Sequence, residues 1–298
     1  MGIQLEHVSY TYDARSPLRQ TALRDVELDL AEGALTGIAG SSGSGKSTLL
    51  QLLNGILLPT EGSVKVLDVR LNAGEKLPKL APLRKRVGLV FQFPEQQLFA
   101  RTLEEDLVFG PLNFGASPEE AAASARKALE AMGLEESLLG RHPLQLSGGQ
   151  RRKAAIASVL AMEPDILVLD EPGATLDQVS RTELIRLLHR LCKEEGKTVI
   201  IVTHRLDELL PYADRWIIMH DGRPVFQGAA RGLVDTAAKL PDYGLSVPLS
   251  IRCWHELETA YGLQAEEPCL SPAALAERAM QLMEADARKE LNLCVKSC

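Results

Sequence analysis

The opening segment of the chain alternates. Ile3, Leu5 and Val8 lead to Tyr10 and Tyr12, and Val26, Leu28 and Leu30 are separated by charged residues. Period-2 alternation predicts half-buried antiparallel strands, apolar on one face and solvated on the other. The pattern then gives way to short apolar runs: Leu35 to Ala39, Val87 to Phe91, Ile166 to Leu169 and Val199 to Val202. Such β-branched runs fit strands buried on both faces, as in a parallel sheet with helices outside. Lys46 to Ile56, Glu119 to Met132 and Arg151 to Met162 read as helices, and Pro111, Gly115 and Pro118 break the chain before the second. A helical insert over roughly 97–163 therefore separates two sets of sheet strands. Past about residue 230, Pro241, Pro248, Pro268 and Pro272 punctuate short helices, with a longer one from Ala273 to Leu293. The expected fold is α/β, with a mostly parallel core sheet, an antiparallel β subdomain, the helical insert and a small, mainly helical C-terminal extension. The expected division is 1–230 and 231–298.

One loop carries recognisable chemistry. Gly40-Ser41-Ser42-Gly43-Ser44-Gly45-Lys46-Ser47-Thr48 fits G-x-x-x-x-G-K-[ST] between a predicted strand and a predicted helix, the context this phosphate-binding motif requires. Glycines let backbone N–H groups converge on phosphate oxygens, and the helix N-terminus favours negative charge. Lys46 is placed to reach the β- and γ-phosphates of a nucleotide, and the Ser47 hydroxyl to ligate Mg²⁺. Asp165 to Glu171 is an apolar strand ending in two acids. Asp170 is placed to hold Mg²⁺ through water, and Glu171 to polarise a water for in-line attack on the γ-phosphate. Another buried strand ends at Thr203-His204, where the histidine is expected to contact the γ-phosphate and hold that water in line.

Leu146-Ser147-Gly148-Gly149-Gln150 opens a further helix. Ser147 is an N-cap, and Gly148 and Gly149 allow an anion close to the backbone. This is a second phosphate site, and one nucleotide does not need two. The economical arrangement is two chains head to tail, with two ATPs between them.

Composition narrows the partners. Lys+Arg 33 against Asp+Glu 40 gives −7, and aromatics are only 4%, a poor match to nucleic acid. The clusters Arg84-Lys85-Arg86 and Arg151-Arg152-Lys153 read as surface or phosphate-proximal charge. No stretch reaches the roughly 18 apolar residues of a membrane span, and the N-terminus lacks export features. Five scattered cysteines (192, 253, 269, 294 and 298) suit reduced thiols, and Cys294 and Cys298 lack the partners of a zinc site. No Asn-Lys-x-Asp guanine-reading segment is present, which sets aside a GTPase switch.

Together these motifs resemble those of ABC transporter ATPase subunits, in the family's order and spacing. The resemblance implies that Gln92 is the Q-loop glutamine, touching Mg²⁺ and reporting nucleotide state to a membrane partner. It places the adenine-stacking aromatic at Tyr12, with Tyr10 as competitor, and the D-loop acid at Asp177. Phe91 to Phe99, Leu49 to Gly55 and Ala154 to Met162 resemble the ATPases of energy-coupling factor (ECF) transporters. Leu245 to Pro248 and Leu270 to Leu275 resemble that subfamily's C-terminal extension, which helps pair two ATPases. The implied function is an ATPase energising import of a vitamin or a transition-metal ion from the cytoplasmic face of the membrane. The implied partners are a second ATPase, a transmembrane coupling protein and a membrane substrate-binding subunit, with no nucleic acid. The alternative is an ABC ATPase acting on nucleic acid or ribosomes. One departure stands out. Where the family usually has Thr-Ala-Gly-Leu-Asp-Pro, this chain has Gly173-Ala174-Thr175-Leu176-Asp177-Gln178, and a β-branched Thr175 is expected to alter the loop.

Overall fold

The computed structural model describes residues 2–13, 16–76, 78–263 and 267–296, the last eleven of these as backbone only. The chain runs through β1 (Ile3–Tyr12), β2 (Gln20–Leu30), β3 (Leu35–Gly40), α1 (Lys46–Leu53), β4 (Glu61–Val66), β5 (Val69–Asn72), α2 (Ala81–Arg86) and β6 (Val87–Val90). The helical insert follows as α3 (Leu103–Asn113), α4 (Pro118–Ala131) and α5 (Gly148–Leu160). Then come β7 (Ile166–Asp170), α6 (Gln178–Glu195), β8 (Thr198–Val202), α7 (Leu206–Leu209), β9 (Arg215–His220) and β10 (Arg223–Ala229). The chain closes with α8 (Ala230–Asp235), α9 (Leu249–Tyr261) and α10 (Pro272–Lys296).

The two alternating segments form β1 and β2 of a four-stranded antiparallel sheet, ordered β2-β1-β4-β5, which β4 and β5, not marked in the sequence, complete. The four apolar runs form β3, β6, β7 and β8 of a six-stranded sheet, ordered β10-β9-β3-β8-β7-β6 and parallel except where β10 joins β9; β9 and β10 were not marked in the sequence. β3 and β8 are buried along their whole length, as their unbroken apolar sequences require. Because β3, β8, β7 and β6 run parallel, their C-terminal ends lie on one edge. That edge receives Gly40, Thr203, Asp170 and the segment leading to Gln92, and it is where an open α/β sheet binds ligands.

Local chemistry sets the helix starts. Ser117 and Glu120 form a reciprocal capping box ahead of α4, with Pro118 in the first turn. Pro248, before α9, has no capping side chain. Asp207 of α7 supplies the cap, accepting from Leu249 N (3.2 Å), Ser250 N (3.2 Å) and Ser250 Oγ (3.0 Å). Leu233, Leu240, Ile251 and Trp254 of the C-terminal region share one buried apolar cluster with Trp216 and Ile218 of the large sheet. Cys192 is buried, and Cys253 and Cys269 are free thiols. The Cys294 side chain and Cys298 lie outside the described residues.

Of the surface and phosphate-proximal alternatives for the triplet Arg151-Arg152-Lys153, the surface one is overturned for Arg152 and Lys153. They are 1% and 9% exposed, and pair with Glu95 and Glu183. α5 is packed along most of its length, and its acidic partners come from distant segments that no local pattern reveals.

Gly37, in β3 of the large sheet, is closely packed. A Cβ there would lie 2.8 Å from the indole ring of the fully buried Trp216. Gly37→Ala is expected to destabilise the protein by about 1–3 kcal/mol through overpacking, read as a lower melting temperature.

Candidate active site

The loop between β3 and α1 closes on its own lysine. Lys46 Nζ donates to the carbonyls of Gly40 (2.9 Å) and Ser41 (2.7 Å) and to Ser44 Oγ (3.3 Å). Gly45 has φ 97°, and a Cβ there would lie 2.5 Å from the Ala22 carbonyl oxygen, so both backbone and space require glycine. Burial lowers the Lys46 pKa, and the negative charges of Asp170 and Glu171 oppose that shift.

Asp170 ends β7 opposite this loop. The Ser47 hydroxyl donates to Asp170 Oδ2 at 2.6 Å. Burial raises the Asp170 pKa, the Ser47 hydrogen bond lowers it, Glu171 raises it and Lys46 lowers it, with a net upward shift. A carboxylate whose folded pKa is raised stabilises the fold below its unfolded pKa and loses that contribution as pH rises through the folded value. Asp170→Asn is therefore expected to melt at or above the unsubstituted protein near neutral pH, without nucleotide, while losing Mg²⁺-dependent nucleotide binding. Thermal melts with and without MgATP check both halves.

Glu171 is held in an uncommon conformation. Its φ is 46°, in the left-handed region that costs a non-glycine residue about 1 kcal/mol or more. Its N–H donates to the Val202 carbonyl at 3.0 Å, tying it to the end of β8. His204, two residues past β8, places Nδ1 3.1 Å from Glu171 Oε1.

These groups line one cleft of ≈ 470 Å³ with Gly40, Ser42, Gly43, Gly45, Thr48, Gln92 and Tyr12. Ser41 and Ser44 lie behind it and hold Lys46. The Tyr12 hydroxyl is 3.1 Å from Thr48 Oγ1. Tyr12 lines the cleft, whereas Tyr10 meets its ring edge-on at 4.8 Å between centroids and packs against the core. The Ser47 hydroxyl, the Asp170 carboxylate and the Gln92 amide form an all-oxygen donor set, which suits Mg²⁺. Gln20, Thr21 and Ala22 of β2 also line the cleft, and the sequence reading missed them. Their signal is the cross-strand register, Tyr12 opposite Gln20 and Thr11 opposite Thr21.

Ser147, Gly148, Gly149 and Gln150 do not line this cleft. Ser147 Oγ accepts from Gln150 N (3.2 Å), and Gln150 Oε1 accepts from Ser147 N (3.0 Å). Ser147 and Gly148 are exposed, and nothing lies within 4 Å of a Cβ placed on Gly148. The helix start is capped and open, and it is not part of the cleft that holds the chain's own Lys46. Asp177 is also outside the cleft. It caps α6 through Ser180 N (2.9 Å) and Ser180 Oγ (2.7 Å), and these bonds hold its carboxyl below the usual range. That cap starts α6 at Gln178 without the family's proline, and Thr175 does not take a left-handed backbone.

The fold and this cleft define an ATP-binding cassette ATPase. The ABC transporter family matches residues 23–174 of the chain. The chain is 44% identical over 283 residues to the Energy-coupling factor transporter ATP-binding protein EcfA2 of Bacillus cereus, covering 95% of this chain and 97% of the relative. It is 45% identical to the protein of that name from Listeria innocua, covering 96% and 100%. The chain belongs to the energy-coupling factor transporter ATP-binding family of ABC ATPases. Among solved structures, cbiO1 from Clostridium perfringens, part of the ABC transporter complex cbiONQ, is similar at TM-score 0.69 and 34% identity, over 81% of this chain and 96% of that one. A dimeric ATP-binding cassette in a post-hydrolysis state with ADP and Pi is similar at TM-score 0.68 and 34% identity, over 77% and 99%.

Proposed function

We propose that this chain is the ATP-hydrolysing subunit of an ECF-type importer, working in a head-to-tail pair with a second ATPase chain. The observation that carries the reading is the split of the nucleotide machinery. Lys46, Ser47, Gln92, Asp170, Glu171 and His204 share one cleft, while Ser147 to Gln150 form an open, capped helix start outside it. Two chains placed head to tail complete both sites.

In this reading the P-loop N–H groups and Lys46 hold the β- and γ-phosphates of ATP, and Tyr12 stacks on adenine. Bound Mg²⁺, held by Ser47, Asp170 and Gln92, neutralises charge on the phosphates. Glu171 accepts the proton of the attacking water, and His204 fixes the Glu171 carboxylate and faces the γ-phosphate. Ser147 and the glycines after it bind the γ-phosphate of the facing subunit's ATP, and Asp177 lies at the same interface. Residues 231–298 form an extension that helps pair the two ATPases.

No helix among the described residues is long and apolar enough to cross a membrane. The translocation path then belongs to other chains: a transmembrane coupling protein and a membrane substrate-binding subunit that selects a vitamin or metal ion. The chain sits peripherally at the cytoplasmic face. Phe91 and Phe93, 39% and 37% exposed, flank Gln92 and offer the coupling protein an apolar contact at the point where nucleotide state is read. Affinity purification of the tagged chain from detergent-solubilised membranes, followed by mass spectrometry, tests this. A second ATPase and a multi-spanning protein are expected. Recovery with ribosomes or nucleic acid and no membrane subunit contradicts it.

A further inference from the structure

Arg152 is nearly inaccessible, yet the nucleotide chemistry above makes no use of it. Its Nε donates to Glu95 Oε2 (3.0 Å), and its Nη2 donates to Glu95 Oε1 (3.0 Å) and Oε2 (2.9 Å). The remaining arm, Nη1, donates to the Pro172 carbonyl at 3.2 Å. Glu95 lies three positions after Gln92, in the short 3-10 helix Pro94–Gln97. Pro172 directly follows Glu171. One guanidinium on the helix that begins at Ser147 therefore joins the Gln92 segment to the backbone behind the proposed base.

A buried ion pair is a poor way to gain stability, because the desolvation of both charges offsets their attraction. What it does supply is geometry. A planar fork bonded at both ends fixes two segments relative to each other, which a lysine point charge does not. We infer that Arg152 and Glu95 are positioning residues that tie the Gln92 segment to the Glu171 loop, so that a shift of Gln92 imposed by the membrane partner moves the base. This rests on the reading of the chain as an ATPase seated on a membrane complex.

The test uses that complex in lipid nanodiscs, carrying Glu95→Gln, which keeps size and folding neighbours, or Arg152→Lys, which keeps charge. The readouts are kcat and KM for MgATP, the melting temperature, and the ratio of kcat in the complex to kcat of the ATPase alone. Both variants are expected to lower kcat in the complex about tenfold, because small displacements of a base are costly. Arg152→Lys keeps a charge beside Glu95, so its KM and melting temperature stay near those of the unsubstituted complex, whereas Glu95→Gln leaves a buried guanidinium without its counter-charge and melts lower; the ratio falls for both. An unchanged kcat and ratio overturns the inference. So does a fall in kcat of Arg152→Lys accompanied by a lower melting temperature and a raised KM, which marks the pair as plain structural support. Failure of the underlying reading appears elsewhere, as an unsubstituted protein that forms no membrane complex or hydrolyses no ATP within it.

Discussion

Replacing Glu171 by Gln is expected to leave ATP binding intact, slow hydrolysis about 100-fold or more, and hold two chains together around unhydrolysed ATP. Gln keeps the shape of the side chain and its reach to His204, 3.1 Å from the present carboxylate. It cannot accept the proton of the attacking water. The left-handed backbone at Glu171 is fixed by the hydrogen bond to Val202, which the substitution leaves alone. Lys46, Ser47 and Asp170 are untouched, so affinity for MgATP persists. With the chemical step blocked, the proposed pair around unhydrolysed ATP is expected to accumulate. Turnover assays, nucleotide titration and light scattering with MgATP check the three parts. Unchanged turnover removes Glu171 from the role of base.

Ser147→Arg is the second large effect. The Ser147 face is exposed and does not line the chain's own cleft. A long cationic side chain there fills the open helix start and removes a cap worth about 1 kcal/mol, a loss the surrounding fold tolerates. ATP binding by the single subunit is expected to survive, because every group near Lys46 is intact. Hydrolysis is expected to fall by about 100-fold, because the γ-phosphate of the facing nucleotide loses preorganised donors. Normal hydrolysis contradicts the shared site.

The features legible in the sequence are those carried by short range. The P-loop, the acids ending β7 and the Ser147 cap each sit within a few residues of the signal that reveals them. The two kinds of sheet were legible because alternation and unbroken apolar runs are different patterns. What the sequence hid is contact across the chain. Arg152 meets Glu95 from 57 positions away, and a basic triplet has the same appearance on a surface as in a core. Gln20 reaches the cleft only through the register of β2 on β1. Asp207 caps α9 from 43 positions away, replacing a local cap that Pro248 cannot provide. The altered D-loop was legible as a departure but not in its consequence, because only the backbone shows that Asp177 starts α6 without proline and that Thr175 stays out of the left-handed region.

The most direct measurement is a structure of the Glu171→Gln protein with MgATP. The account predicts a head-to-tail pair with two nucleotides, each held between the Lys46 loop of one chain and the Ser147 helix start of the other. Nucleotide bound at Lys46 with Ser147 to Gln150 left facing solvent would contradict it.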